Sequence, residues 1–201
     1  MSYCSLWGID KDFYGDQVEE FGNSWLFVPP ALDVLSWKYI PGSRLSFLAR
    51  VAYEDTKFQE KLNDKINESA NQSDRVMWEL SNHQVFSSKD AKFVATAIRK
   101  FCDKTLKEFM PGVADHIVER FKEIATAIEN LDGEKHLYFV LKGNSIDDSV
   151  ENWFWMDDPN GGVDPVRCSL RGSEQHRTEF VVVEGDEIIG FVSNLDFNFE
   201  A

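Results

Sequence analysis

The segment NWFWMDDPNGG, residues 152–162, holds the most unusual grouping of reactive side chains in the chain. Asp157 and Asp158 place two carboxylates on a loop that contains glycines, and Ca²⁺ is bound by oxygen ligands on loops of this kind. The spacing of the acidic residues does not match the EF-hand pattern, however, and Asp-Asp-Pro-Asn-Gly-Gly is ordinary turn chemistry. We therefore predict a turn and no metal site.

Two tryptophans, Trp153 and Trp155, precede that turn and would point to the same face of a strand together with Glu151. A tryptophan beside acidic residues is a typical anchor of a protein–protein interface. Alternatively, other parts of the chain cover both rings, because monomers rarely expose a large apolar patch. The predicted binding surface consists of Trp153, Trp155, Asp157, Asp158 and Glu151.

Basic side chains form a second candidate site on a predicted helix, residues 88–109. At 100° per residue they fall within an arc of about 140°, opposite the apolar side of the helix. This stripe could bind a phosphate-bearing ligand or an acidic surface of a second copy, but a solvated outer face is the simpler interpretation. The basic stripe consists of Lys92, Arg99, Lys100, Lys104 and Lys107.

No motif of a known enzyme class is present in the sequence. It has no glycine-rich phosphate loop, no GxSxG, no HExxH and no paired Cys/His spacing, so we predict no catalytic residue, no metal and no cofactor. The four histidines are scattered. A hydrolase or transferase built from His176 or His136 and a carboxylate remains an alternative, because such sites are assembled across a fold and leave no linear trace.

The charge of the chain limits its partners. With 35 acidic and 21 basic residues the net charge is −14. Of this, −9 lies in residues 134–201, which hold 14 acidic and 5 basic residues. General nucleic-acid binding is not expected, because neutralising phosphates needs a surplus of lysine and arginine. An acidic protein of this kind suits a basic protein partner.

Cysteine usage and hydropathy indicate the compartment. Cys4, Cys102 and Cys168 are far apart and form no CxxC pair, so neither a disulfide framework nor a zinc site is predicted. The chain begins without a signal-like segment, and no apolar run approaches the ~20 residues needed to span a bilayer. We expect a cytoplasmic protein that does not associate with membranes.

The hydrophobic periodicity predicts an α+β fold in a single domain, residues 1–201. Residues 1–42 should form an N-terminal strand and an aromatic, proline-containing strap. Residues 43–132 should form a helical layer, made of a long helix over about 43–66 and an antiparallel hairpin of two helices. Residues 134–201 should form an antiparallel β-meander that packs on this layer and that the N-terminal strand joins.

These observations favour a non-catalytic, acidic binding protein that docks on a basic macromolecular partner and inhibits it. Immunity proteins and phage counter-defence proteins occupy this physical niche, which is an analogy and not a likeness of sequence. A small-ligand or nucleotide sequestering protein, either monomeric or oligomeric, is a further alternative. The sequence does not specify the partner or the oligomeric state.

Overall fold

The computed structural model describes residues 3–11, 15–42, 44–53, 57–144 and 179–193. Several sequence predictions lie outside these ranges, and they concern Glu151, Trp153, Trp155, Asp157, Asp158, Cys168, His176 and the predicted strand 166–171.

The described chain runs from two strands through a mainly helical part, which one short strand interrupts, to three further strands. The strands are β1 (Tyr3–Ile9), β2 (Gly15–Glu20), β3 (Val85–Ser87), β4 (Tyr138–Asn144), β5 (Glu179–Glu184) and β6 (Glu187–Ser193). The helices are α1 (Val28–Tyr39), α2 (Phe47–Tyr53), α3 (Lys57–Asn67), α4 (Gln72–Ser81), α5 (Ala91–Lys100), α6 (Lys107–Phe109) and α7 (Asp115–Glu129). A π-helical segment, Phe101–Leu106, joins α5 to α6. The predicted α+β fold is confirmed.

The strands form one six-stranded sheet in the order β2-β1-β4-β3-β5-β6. β1 pairs antiparallel with β4, so the N-terminal strand joins the sheet as expected. The sheet is mixed rather than wholly antiparallel, because β3 inserts between β4 and β5 and runs parallel to β5. With three residues, β3 is too short to show a two-residue period, and the sequence therefore gave no sign of it.

The helical layer matches the expected order of elements. α2 and α3 lie in the range predicted as one long helix, about 43–66, and residues 54–56 between them lie outside the described residues. The predicted hairpin of helices is present, since α5 and α7 pack side by side and Arg99 donates to the Glu129 carboxylate over 2.7 Å. None of the described helices is long and apolar enough to cross a lipid bilayer.

One large core joins the helices to the sheet. Leu6 and Phe139 enter it from the strands, and Phe27, Phe101 and Phe121 enter it from the helical side. The rings of Phe27 and Phe121 have centroids 4.5 Å apart, and those of Phe101 and Phe121 are 6.1 Å apart. The segment predicted as a strap therefore contributes Phe27 to the core.

Candidate functional site

A polar cleft of about 630 Å³ lies between α3, α4 and the adjoining parts of β5 and β6. Among the described residues that line it, none is a lysine or arginine. Its carboxylates are Glu60, Glu79 and Glu179, its amides are Gln59, Asn63, Asn67, Asn82 and Gln84, and its aromatic rings are Trp78 and Phe191. We refer to it as the acidic cleft.

Helix α3 provides the amide wall. Gln59, Asn63 and Asn67 recur every four residues and therefore lie along one stripe of the helix. Burial of the adjacent apolar stripe anchors the helix in the core. The residues of that buried stripe are Phe58, Leu62 and Ile66.

Asn63 connects the two helices that border the cleft. Its Oδ1 accepts a 2.8 Å hydrogen bond from Trp78 Nε1 and a 3.1 Å bond from Asn67 Nδ2. A carbonyl oxygen has two lone pairs, so both are then in use. Asn67 Oδ1, in contrast, is buried and has no hydrogen-bond partner in the described part of the chain.

The C-terminal end of α4 positions the second wall of the acidic cleft. His83 adopts a left-handed backbone conformation, with φ of 58°, which for a non-glycine residue is uncommon. The amides of His83 and Gln84 donate to the carbonyls of Leu80 and Glu79 over 3.2 and 3.0 Å, the pattern of a Schellman motif. Gln84 Oε1 then accepts a 2.8 Å bond from the Glu179 amide. The motif thereby ties α4 to the first residue of β5.

Glu79 is the chemically distinctive group of the cleft. The residue is 4% exposed, and its Oε1 is buried without a hydrogen-bond partner among the described residues. Burial, and to a smaller extent the negative charge of Glu179, raise the pKa of the Glu79 carboxyl to about 8, although the charge of Arg75 opposes them. The carboxyl is therefore mostly protonated at neutral pH and would gain charge if a cation entered.

The basic stripe lies apart from this cleft, on the hairpin formed by α5 to α7. Arg99 is paired with Glu129, and Lys107 lies 2.7 Å from Asp103, one turn away. Lys92 and Lys100 line a shallow groove of about 380 Å³ that also contains Asp186.

The π-helical segment changes how the stripe is arranged. The arc drawn from the sequence assumed a continuous α-helix, and a π turn holds more residues than an α turn. Beyond Lys100 the assumption of 100° per residue no longer applies, so the arc does not place Lys104 and Lys107 relative to the other basic residues.

Among the described histidines, His136 lies beside a carboxylate. The alternative of a hydrolase or transferase requires such a pair. The His136 Nε2 is 3.5 Å from Asp16 Oδ2, and Lys135 lies 2.8 Å from the same oxygen. Bonding to Lys135 and then to His136 holds the pKa of Asp16 below its usual value. The His136 ring is buried, and neither ring nitrogen has a hydrogen-bonded hydroxyl or thiol in the described part of the chain.

Metal and thiol chemistry find little support in the described ranges. No group of three or more His, Cys, Asp or Glu side chains in them is arranged to hold a metal ion. Cys4 and Cys102 are free and buried. Burial raises the pKa of the Cys4 thiol to about 12, so this thiol is a poor nucleophile at neutral pH.

The acidic cleft was not predicted from the sequence, although a signal for it exists. Glu79 interrupts the apolar run Val76, Met77, Trp78 and Leu80 on a helix that is buried almost all round. A charged residue at such a position needs a partner or a site. The amide stripe on α3 was the companion signal, but only the fold shows that the two helices share a cleft.

Comparisons with protein-family models, with curated proteins and with solved structures found no match for the chain. The function is therefore argued from the geometry and charge of the cleft.

Proposed function

We propose that this chain is a non-catalytic, acidic binding protein that docks on a basic macromolecular partner through a surface that includes the acidic cleft. Glu79 carries the proposal, because it is a carboxyl buried at the cleft without a hydrogen bond to Oε1. A buried polar atom of this kind is costly unless a ligand satisfies it. A cationic side chain of a partner would do so.

The overall charge supports the same interpretation. A net charge of −14 would steer a basic partner toward the protein and speed association, mainly at low salt. Docking would cover the basic surface of the partner and thereby inhibit it. We also propose a cytoplasmic location, with which the free thiols of Cys4 and Cys102 are consistent.

Two variants, each with three carboxyl groups replaced by amides, test the proposal. The cleft variant is E60Q/E79Q/E179Q, and the control variant E108Q/D115N/E119Q neutralises exposed carboxylates on the helical hairpin. Each immobilised protein is used to capture partners from a cell lysate at about 0.05 and 0.3 M salt, since screening weakens exposed charge pairs. Captured proteins are identified by mass spectrometry.

We expect the wild type and the control variant to capture the same basic protein at low salt, and the cleft variant to lose it. Purified partner must then bind with an affinity that falls as salt rises. Loss of capture in both variants alike would assign binding to net charge and not to the cleft. Capture that is insensitive to salt and to both variants would contradict the proposal.

A further inference from the structure

The acidic cleft contains two buried acceptor atoms that have no hydrogen-bond partner among the described residues. The buried polar side-chain atoms without a partner among its described lining residues are Asn67 Oδ1 and Glu79 Oε1. Trp78 Nε1 donates to Asn63, and Asn82 Nδ2 donates to the Trp78 carbonyl over 2.9 Å. A ligand that completes these bonds must therefore donate hydrogen bonds.

The donor should also be positively charged. Glu60, Glu79 and Glu179 reach the cleft from α3, α4 and β5, and none of the described residues that line it is a lysine or arginine. The charge of Glu179 disfavours ionisation of Glu79, and a cation between the carboxyls would remove that repulsion. A neutral donor would leave it in place.

A planar cation fits this lining better than a compact one. The unpaired acceptors lie on two different helices, and a guanidinium carries five donors in a fixed planar fork. The partly exposed ring of Phe191 lines the same cleft, and guanidinium groups stack on aromatic faces. An ammonium group is more strongly hydrated and loses more on entering a buried site.

We infer that the acidic cleft binds an arginine side chain of the basic partner, whose guanidinium donates to Glu79 and Asn67. The inference rests on the proposed function, since it names the group by which the partner is recognised. When the cation enters, the O–H bond of the Glu79 carboxyl breaks and the proton passes to solvent, so that charge is balanced in the site.

The pH dependence of binding follows from the groups around Glu79. These are Arg75 on α4, Glu60 on α3 and Glu179 on β5. Because the pKa of Glu79 is about 8 in the empty cleft, a cation competes with a proton below that pH. Affinity should rise by up to about tenfold per pH unit toward pH 8 and level off above it.

The test uses the full chain and blocked tripeptides in which arginine, lysine or citrulline is flanked by glycines. Citrulline keeps the shape of arginine without the charge. Binding is followed by NMR at the Asn67 side-chain amide and the Trp78 indole N–H. Calorimetry in two buffers of different ionisation enthalpy counts the protons released. Methylguanidine serves as the free, small-molecule source of the same group.

We expect the arginine peptide to bind about tenfold more tightly than the lysine peptide, with the citrulline peptide not binding. Up to one proton should be released per arginine bound at neutral pH. In E79Q, affinity should fall and lose its pH dependence. Burial lowers the pKa of Lys142 to about 8, so this lysine titrates in the same range. Loss of the pH dependence of binding in E79Q would therefore assign that dependence to Glu79. N67A should weaken binding but keep the pH dependence.

The contrary outcomes are distinct from failure of the proposed function. If the partner binds through the cleft but arginine and lysine peptides bind alike, or E79Q binds as the wild type does, the arginine assignment is overturned and docking stands. Methylguanidine binding as tightly as the peptide would overturn the assignment to a partner side chain. If no basic ligand binds a folded chain, both proposals fail.

Discussion

At the scale of single residues, Glu79 links the stability of the protein to pH. Its pKa is raised from 4.5 to about 8 on folding, so the folded state holds this proton more tightly than the unfolded chain does. The resulting stability is fully present below about pH 4.5 and is lost as pH rises through about 8. The cleft therefore costs stability at neutral pH, as functional sites often do.

We expect E79Q to remove this dependence, because glutamine keeps the shape of the protonated carboxyl without its titration. The free energy of unfolding of the wild type minus that of E79Q should fall between pH 5 and 8, by up to several kcal/mol. Urea unfolding at a series of pH values measures it. Taking the difference cancels other titrating groups, including Lys142, and parallel curves for the two proteins would contradict the prediction.

Gly8 shows a second effect at the residue scale, a close approach that excludes a side chain. A Cβ at this position would clash with Cγ of the buried His136 ring. G8A should therefore destabilise the fold by about 1–3 kcal/mol through overpacking. Thermal and urea unfolding report the change.

The control for G8A is Gly190 in β6, where an added Cβ would meet no atom of the described residues within 4 Å. G190A should change the unfolding free energy by less than about 0.5 kcal/mol. In a double-mutant cycle, H136A should relieve much of the cost of G8A, because the two side chains compete for one space. Additive effects would show that the clash is not the cause.

At the scale of elements, a buried carboxylate joins three helical segments. Asp74 on α4 is fully buried and accepts bonds from Lys38 Nζ at 2.6 Å, Tyr39 hydroxyl at 2.7 Å and Thr105 hydroxyl at 3.0 Å. Lys38 and Tyr39 belong to α1, and Thr105 lies in the π-helical segment. The wider turn of that segment thus includes a residue that contacts α4.

D74A should destabilise the protein by about 3–5 kcal/mol, because it leaves three donors without their shared acceptor. Chemical denaturation measures the loss. The matched control is K107A, which removes an exposed ion pair with Asp103 and should leave the free energy of unfolding almost unchanged. Equal losses of stability in the two variants would show that burial does not determine how much these contacts stabilise the fold.

At the scale of the whole molecule, the core predicts cooperative unfolding. Residues of the sheet, such as Phe139, and residues of the helices, such as Phe121, belong to one buried cluster. Neither layer can bury its apolar face without the other. Far-UV and near-UV circular dichroism should therefore give the same midpoint in urea. Two separate transitions would show that the helical part and the sheet fold as independent domains.

The fold class could be predicted from the sequence because it depends on local signals. The period of the hydrophobic residues switches from helical to two residues after Asp132-Gly133, and this switch separates the helical hairpin from β4. Gly185 marks the β5–β6 turn, where its φ is 61°. β3 and the π-helical segment escaped prediction, since a three-residue strand has no measurable period and a π turn leaves the hydrophobic pattern nearly helical.

The sequence by itself determined the composition, the acidic charge, the α+β class and the order of most elements, because each is encoded within a few neighbouring residues. The acidic cleft could be identified only from the tertiary structure. Asn67, Glu79 and Glu179 are separated by up to about a hundred positions, and they meet only because α3, α4 and β5 pack together. Burial, which makes Glu79 a candidate for binding a cation, is likewise a property of the packed molecule and not of any local segment.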